Sequence, residues 1–141
     1  MSNNESERHR PLILIIDDDQ AFRETAEALL ELYGYAVMTV ESGGAALRTI
    51  EQELPAIILL DVFMPGMDGL EFLRMLREAA VHVPVLVTTG ALAGDEPHPM
   101  LSTAMEIGAD GVLRKPFRIE ELQSLIARVA PGIAAAATPR K

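Results

Sequence analysis

Four short apolar runs, each followed directly by polar residues, constrain the fold of this chain more than any other feature of its sequence. They are residues 12–16 before Asp17, 56–60 before Asp61, 83–87 before Thr88 and Thr89, and 112–114 before Lys115. Short apolar runs of this kind predict strands that are covered on both faces. If these strands lie parallel in one sheet, their carboxyl ends meet at one edge, and that edge carries a carboxylate cluster, a hydroxyl and one lysine.

Amphipathic helical patterns separate the strands, and one further strand follows the first helix. Helices are predicted for residues 20–33, 43–53, a segment that begins at 69, 100–107 and 119–129, and the additional, less apolar strand for 35–40. Strand and helix therefore alternate five times over short connections. This alternation predicts a parallel sheet with right-handed crossovers and helices on both faces. Functional sites in such sheets form outside the carboxyl ends of the strands.

Local signals mark several helix boundaries. Gly34 is predicted to end the first helix, and Ser42 to cap the second, whose core face includes Leu54. Asp68 is predicted to cap the third helix, because its side chain can accept from the free amides of the first turn. Residues 94–99 contain two prolines. They are excluded from a helix interior, since proline removes a hydrogen-bond donor and clashes with the preceding turn.

Composition and charge bound the domain organisation and the class of function. With 141 residues, 49% of them apolar, the chain fits one globular domain. We predict that domain at 11–130, between a disordered lead-in at 1–10 and a flexible tail at 131–141. The net charge of −9 disfavours a nucleic-acid partner, and the absence of cysteine excludes disulfides and thiolate metal sites. Because no signal peptide or membrane-spanning run is visible, we expect a cytoplasmic protein without a membrane partner.

The polar residues at the predicted sheet edge suit a divalent cation together with a phosphoryl group. Mg²⁺ takes oxygen ligands, usually one or two carboxylates and several waters, and Asp17, Asp18 and Asp61 supply such a set. Crowded carboxylates repel one another unless a positive charge compensates, and Lys115 is the natural compensating charge. Thr89 adds a hydroxyl. One of the carboxylates is then available as a nucleophile that takes the phosphoryl group as an acyl phosphate.

Four sequence strings at this edge resemble one protein family. They are LIIDDD at 14–19, LDVFMPGMDG at 60–69, VLVTTG at 85–90 and KPF at 115–117. In this order and spacing they strongly resemble the receiver domain of two-component response regulators, over residues 11–130. The resemblance implies a flavodoxin-like (βα)5 fold, an α/β architecture with a doubly wound parallel sheet in the strand order 2-1-3-4-5.

The resemblance implies roles for the acidic residues. Asp61 matches the aspartate that accepts the phosphoryl group. Asp17 and Asp18 match the acidic pair that holds Mg²⁺, Asp18 directly and Asp17 chiefly through water. The backbone carbonyl of Phe63 is expected to supply a further ligand, so that Asp17, Asp18, Asp61 and Phe63 form the metal set.

The other edge residues also match the family pattern. Thr89 matches the hydroxyl that senses the phosphoryl group, and Lys115 matches the lysine that contacts it. The Lys115–Pro116 peptide bond corresponds to one that is usually cis in the family. Two neighbours are interpreted as structural, Asp19 as a charge at a helix N-terminus and Thr88 as a strand residue.

Two positions depart from the family pattern. Val112 stands where the fifth strand of receiver domains usually carries a tyrosine or phenylalanine, so the route from phosphorylation to output is expected to differ. Phe63 is apolar where many relatives carry a polar group that orients attacking water. We therefore expect an altered, lengthened lifetime of the phosphoryl group on Asp61.

The sequence predicts a phosphorylation-controlled switch that takes its phosphoryl group, with Mg²⁺, from a histidine kinase or a histidine phosphotransfer protein. An unknown downstream protein would read the switch. The chain is not expected to be an enzyme beyond catalysing its own phosphorylation and dephosphorylation. Two alternatives stay open at this point, namely a phosphorelay intermediate without effector output and an aspartyl-phosphate hydrolase.

Overall fold

The computed structural model describes residues 10–64, 69–90 and 99–139, in which strands and helices alternate. The strands are β1 (Leu12–Ile16), β2 (Ala36–Val40), β3 (Ile57–Asp61), β4 (Val85–Thr89) and β5 (Gly111–Arg114). The helices are α1 (Gln20–Leu32), α2 (Gly43–Gln52), α3 (Gly69–Glu78), α4 (Pro99–Ile107), α5 (Ile119–Val129) and α6 (Pro131–Ala136). The five predicted strand–helix units are confirmed.

All five strands are parallel in one sheet, in the order β2-β1-β3-β4-β5. This is the flavodoxin-like order that the sequence predicts. Ile16 pairs with Leu60 and Asp61 pairs with Thr88 across the sheet, so the carboxyl ends of β1, β3 and β4 are level with one another. The polar residues that follow these strands therefore share one edge.

The sheet is covered on both faces, which explains the unbroken apolar runs. Leu14 and Ile16 of β1 belong to a core that includes Phe72 of α3. Ile13 and Ile15 belong to the opposite core, which includes Leu30 of α1. Because successive side chains of a strand point to opposite faces, these four residues alternate between the two cores.

Capping side chains fix where α1 and α2 begin. Asp19 accepts a hydrogen bond from the backbone amide of Phe22 at 3.3 Å, and Ser42 accepts one from the amide of Ala45 at 3.1 Å. Both confirm the predicted roles of these residues at helix N-termini. Gly34 follows the end of α1 with a φ of +98°, a conformation that glycine adopts without steric cost.

The prediction that Leu54 faces the core was wrong. The helix ends at Gln52, and Glu53 adopts an extended backbone with a φ of −149°. The helical periodicity therefore no longer applies at Leu54, whose side chain is 59% exposed.

Residues Pro131–Ala136 form α6, a helix that the sequence did not predict within the tail. Pro131 occupies its first position, where the fixed φ of proline favours a helix and its missing amide is not needed. Ile133 and Ala134 pack against the core shared by α1 and α5. Beyond α6, the backbone of Thr138 lies against Gly34, in the space that a Cβ atom at Gly34 would occupy.

Arg77 joins two connections, α3–β4 and α4–β5, at the edge opposite the strand carboxyl ends. Its guanidinium donates to the carbonyl of Gly108 at 2.9 and 3.1 Å, and to the carbonyls of Val81 and Val83 at 2.7 and 3.1 Å. It also contacts the carboxylate of Asp110 at 3.1 Å. One side chain thereby satisfies the carbonyls that follow α3 and α4.

Several predictions fall on residues outside the described ranges. They are the lead-in at 1–9, the cap at Asp68, the proline segment at 94–98 and the end of the tail, and they stay predictions together with the proposed domain boundaries. Among the described helices, none combines the length and apolar character needed to cross a bilayer.

Candidate functional site

The carboxyl edge of the sheet brings three carboxylates together. Asp17 and Asp18 directly follow β1, and Asp61 is the last residue of β3. One oxygen from each lies within 4.8 Å of the others. Asp17 and Asp61 are buried, whereas Asp18 is exposed. The cluster therefore opens to solvent on the side of Asp18.

The environment of Asp61 disfavours its charge. Its Oδ1 accepts a hydrogen bond from the backbone amide of Phe63 at 2.9 Å. Burial is the largest influence and raises the pKa of Asp61 from 3.8 to about 6, with the charges of Asp17 and Asp18 adding to the rise. The amide of Phe63 and the ammonium of Lys115 act in the opposite direction without cancelling it.

Hydrogen bonds hold Asp17 in place from several sides. Its Oδ1 accepts from the backbone amide of Asp19 at 3.0 Å, and its own backbone amide donates to the carbonyl of Val40 at 3.1 Å. Its carbonyl accepts from the guanidinium of Arg23 at 2.7 Å. The backbone of Asp17 is consequently anchored to β2 and to α1, and its carboxylate to the amide of Asp19.

Lys115 supplies the positive charge of the site. Its Nζ is hydrogen-bonded to Oδ2 of Asp17 and lies 3.9 Å from Oδ2 of Asp61. Its backbone amide donates to the carbonyl of Thr89 at 2.9 Å, which ties the end of β5 to the end of β4. The peptide bond to Pro116 is cis, as the family resemblance implies.

The two threonines at the end of β4 are both buried, but their hydroxyls have different surroundings. The hydroxyl of Thr89 donates a long hydrogen bond of 3.4 Å to the carbonyl of Gly90. The hydroxyl of Thr88 has no partner within the described residues. Thr89 thus stands at the correct edge, with its hydroxyl engaged by the adjacent backbone rather than by a carboxylate.

An apolar cavity of about 680 Å³ adjoins the carboxylates. It lies between α1 and the start of α5 and is lined largely by side chains such as Phe22, Leu29, Phe117 and Leu122. Phe22 falls within the first predicted helix and Phe117 within the KPF string, but neither was predicted to line the site. Their position beside Lys115 depends on how α1 packs on the β5–α5 connection, for which a sequence carries no local signal.

Gly69 is required at the site for steric reasons. A Cβ atom at this position would overlap the backbone carbonyl of Asp61 and the Cα atom of Val62. The first turn of α3 therefore packs directly on the backbone that carries Asp61.

The donor set fits a hard divalent cation. Three carboxylates gathered in a largely buried space repel one another, and the raised pKa of Asp61 reflects both that burial and that repulsion. Mg²⁺ sites usually take one or two carboxylates and retain several waters, and this cluster can supply them. The carbonyl of Phe63 as a further ligand stays a prediction.

Comparisons with known proteins agree with this geometry. A family model described as "Response regulator receiver domain" matches residues 13–127. The response regulator MprA of Mycolicibacterium vanbaalenii is 39% identical over 123 residues, which cover 84% of this chain and 52% of that protein. The solved structure of chemotaxis protein CheY4 from Vibrio cholerae is 30% identical, with a TM-score of 0.76 over 85% of this chain and 98% of the other.

The chain spans about half the length of the curated relatives that it matches. One further structural relative is a DNA-binding response regulator of the LuxR family from Staphylococcus aureus, 28% identical with a TM-score of 0.74 over 84% of this chain and 98% of the other. The expectation that nucleic acid plays no part is therefore not supported by the relatives.

Proposed function

Because the chain belongs to the response regulator receiver domain family, we propose that it is a phosphorylation-controlled signalling switch with Asp61 as its acceptor. The donor would be a phosphohistidine on a histidine kinase or a histidine phosphotransfer protein. One observation carries this proposal, namely the buried Asp61 at the centre of a cluster formed by Asp17, Asp18 and Lys115. The end of a strand does not by itself require three carboxylates and a lysine, so a purely structural role does not explain the cluster.

The surroundings of Asp61 favour one of its oxygens as the nucleophile. Oδ1 is engaged by the amide of Phe63, whereas Oδ2 faces Lys115. We expect Oδ2 to attack phosphorus. An O–P bond forms, the P–N bond to the donor imidazole breaks, and its electron pair stays on the imidazole nitrogen. Because the pKa of Asp61 is raised to about 6, its carboxyl is largely protonated below about pH 6 in the metal-free protein and is then a poor nucleophile.

Asp17, Asp18, Asp61 and the carbonyl of Phe63 would hold Mg²⁺. The bound cation would neutralise charge on the carboxylates and on the phosphoryl oxygens. Asp17 is anchored by hydrogen bonds to β2 and α1, so its contribution is preorganised. Binding is expected to lower the pKa of Asp61, because a nearby positive charge favours the carboxylate.

Lys115 and Thr89 would detect the phosphoryl group. Lys115 is already within 3.9 Å of Asp61 and bonded to Asp17, so a phosphoryl oxygen on Asp61 would compete with Asp17 for the ammonium. The hydroxyl of Thr89 holds only a long hydrogen bond to Gly90, which a charged acceptor would readily replace. Both contacts differ between the two states, and such a difference is what biases a conformational equilibrium.

Intact mass spectrometry tests the proposal. The native chain is incubated with Mg²⁺ and phosphoramidate or acetyl phosphate, and we expect one phosphoryl adduct that EDTA prevents from forming. Asp61→Asn should give none. Asp19→Asn is the matched control, since asparagine also caps helices and Asp19 lies beside the metal pair without belonging to the cluster. An adduct on Asp61→Asn, or none on the folded native chain, would contradict the proposal.

A further inference from the structure

The ammonium group of Lys115 lies over an aromatic ring. Its Nζ is 4.0 Å from the centroid of the ring of Phe22, in the first turn of α1. On its other sides the same nitrogen meets the carboxylates of Asp17 and Asp61. The side chain of Lys115 is 17% exposed, so this is a largely desolvated ammonium between two anions and one ring face.

We propose that Phe22 is a positioning residue for Lys115, holding its ammonium at the carboxylates through a cation–π contact. This inference rests on the proposed function, in which Lys115 receives a phosphoryl oxygen. The face of an aromatic ring carries negative electrostatic potential, and a cation within about 6 Å of its centroid is attracted. An aliphatic side chain at the same place would cover Lys115 without that attraction.

Phe22 is itself held by two contacts, one to its backbone and one to its ring. The backbone amide donates to Asp19, the N-cap of α1. The ring packs edge to face against Phe117, with centroids 5.9 Å apart and an interplanar angle of 77°. Phe117 follows Lys115 by two residues, so the aromatic pair joins α1 to the segment that carries the lysine. Edge-to-face geometry is a favoured arrangement of aromatic pairs.

Lys115 needs such a support because lysine is long and flexible. Its four-carbon stem offers many rotamers, and a bond to Asp17 alone would allow the ammonium to swing away from Asp61. A ring below the ammonium restricts that movement while leaving its hydrogens free to donate to oxygen. When a phosphoryl group forms on Asp61, the ammonium would reach it by a small shift and keep its place over the ring.

Lysine-selective NMR tests the contact itself without reference to phosphorylation. Lys115 and Lys141 are the only two lysines of the chain, so selective labelling gives one signal from the site and one internal reference. Protons above a ring face are shielded, and the ε-methylene protons of Lys115 should shift upfield relative to those of Lys141. The displacement should disappear in Phe22→Leu and persist in Phe22→Tyr.

Phosphorylation rates test whether the contact serves the reaction. With Mg²⁺ and phosphoramidate, Phe22→Leu should lower the rate about five-fold, while Phe22→Tyr should restore most of it. Mono-, di- and trifluorinated phenylalanine at position 22 should slow the reaction stepwise, because fluorine weakens the negative potential of the ring face with little change in volume. The same trifluorinated residue at Phe72, a fully buried core residue, is the matched control and should leave the rate unchanged.

The outcomes separate this inference from the proposed function. A native chain that takes no phosphoryl group overturns both. A native chain that is phosphorylated, but whose rate is insensitive to fluorination at Phe22, overturns the inference and leaves the function standing. Absence of the upfield shift in the native protein overturns it as well. Since fluorinated rings preserve the packing of the native side chain, the series does not depend on whether Phe22→Leu folds.

Discussion

The raised pKa of Asp61 predicts that replacing this residue stabilises the metal-free protein. The pKa rises from 3.8 to about 6, chiefly because the carboxyl is buried. Between these two values the folded state binds more protons than the unfolded state. The contribution of Asp61 to the free energy of unfolding therefore falls as the pH rises from about 4 to about 6, and the full destabilisation by ionised Asp61 is present above that window.

The size of this effect follows from the difference between the two pKa values. At about 1.4 kcal/mol per pH unit, ionised Asp61 costs the folded state roughly 3 kcal/mol. Asparagine has nearly the shape of a protonated aspartate and its side-chain oxygen can still accept from the amide of Phe63. Asp61→Asn should thus match the native chain near pH 4 and exceed it by roughly 2–3 kcal/mol at about pH 7.5.

Urea unfolding followed by circular dichroism, in EDTA at both pH values, measures this difference. Added Mg²⁺ should then narrow the gap at the higher pH, because a ligand that binds the folded native chain stabilises it. A variant less stable than the native chain at about pH 7.5 would refute the reasoning, and so would a stability difference that is the same at both pH values.

Three further predictions concern the surroundings of the site and the opposite edge of the sheet. Phe63→Asn should shorten the half-life of phosphorylated Asp61 about five-fold, because the amide can donate to an attacking water a hydrogen bond of about 1 kcal/mol. An unchanged half-life in a dephosphorylation time course would count against this prediction. Gly69→Ala should lower the free energy of unfolding in urea by about 2 kcal/mol and slow adduct formation, because the added Cβ would displace the backbone of Asp61. Native behaviour in both assays would disprove the steric argument. Arg77→Met should lower the free energy of unfolding by roughly 2 kcal/mol, because the carbonyls of Gly108 and Val81 lose their donor. Phosphorylation of the folded fraction should be unaffected. Loss of the adduct in that fraction would show that the two edges of the sheet are coupled.

The fold was predictable because each strand carries its own signal. The unbroken apolar runs indicated strands covered on both faces, and the parallel arrangement then required Asp17, Asp61 and Lys115 to meet at one edge. Two of these positions, Asp17 and Asp61, are set by the backbone register of β1 and β3 alone. Sequence patterns are therefore enough to predict the position of residues that lie at the end of a strand.

Features that depend on long-range packing were not predictable in the same way. The ring of Phe22 lies over Lys115 only because α1 and the β5–α5 connection converge, although the two residues are far apart in sequence. The direction of the Thr89 hydroxyl depends on a rotamer, and the exposure of Leu54 depends on where α2 ends. The α6 helix was missed because residues 131–141 were predicted to be a flexible tail, whereas Pro131 begins a helix.

Chemical identification of the phosphorylated residue tests the central claim most directly. Borohydride reduces an aspartyl phosphate to homoserine, so the native chain is treated with Mg²⁺ and phosphodonor, reduced, digested and sequenced by tandem mass spectrometry. The account predicts homoserine at position 61, dependent on both Mg²⁺ and donor. Homoserine at position 17 or 18 with an unmodified Asp61 would contradict it.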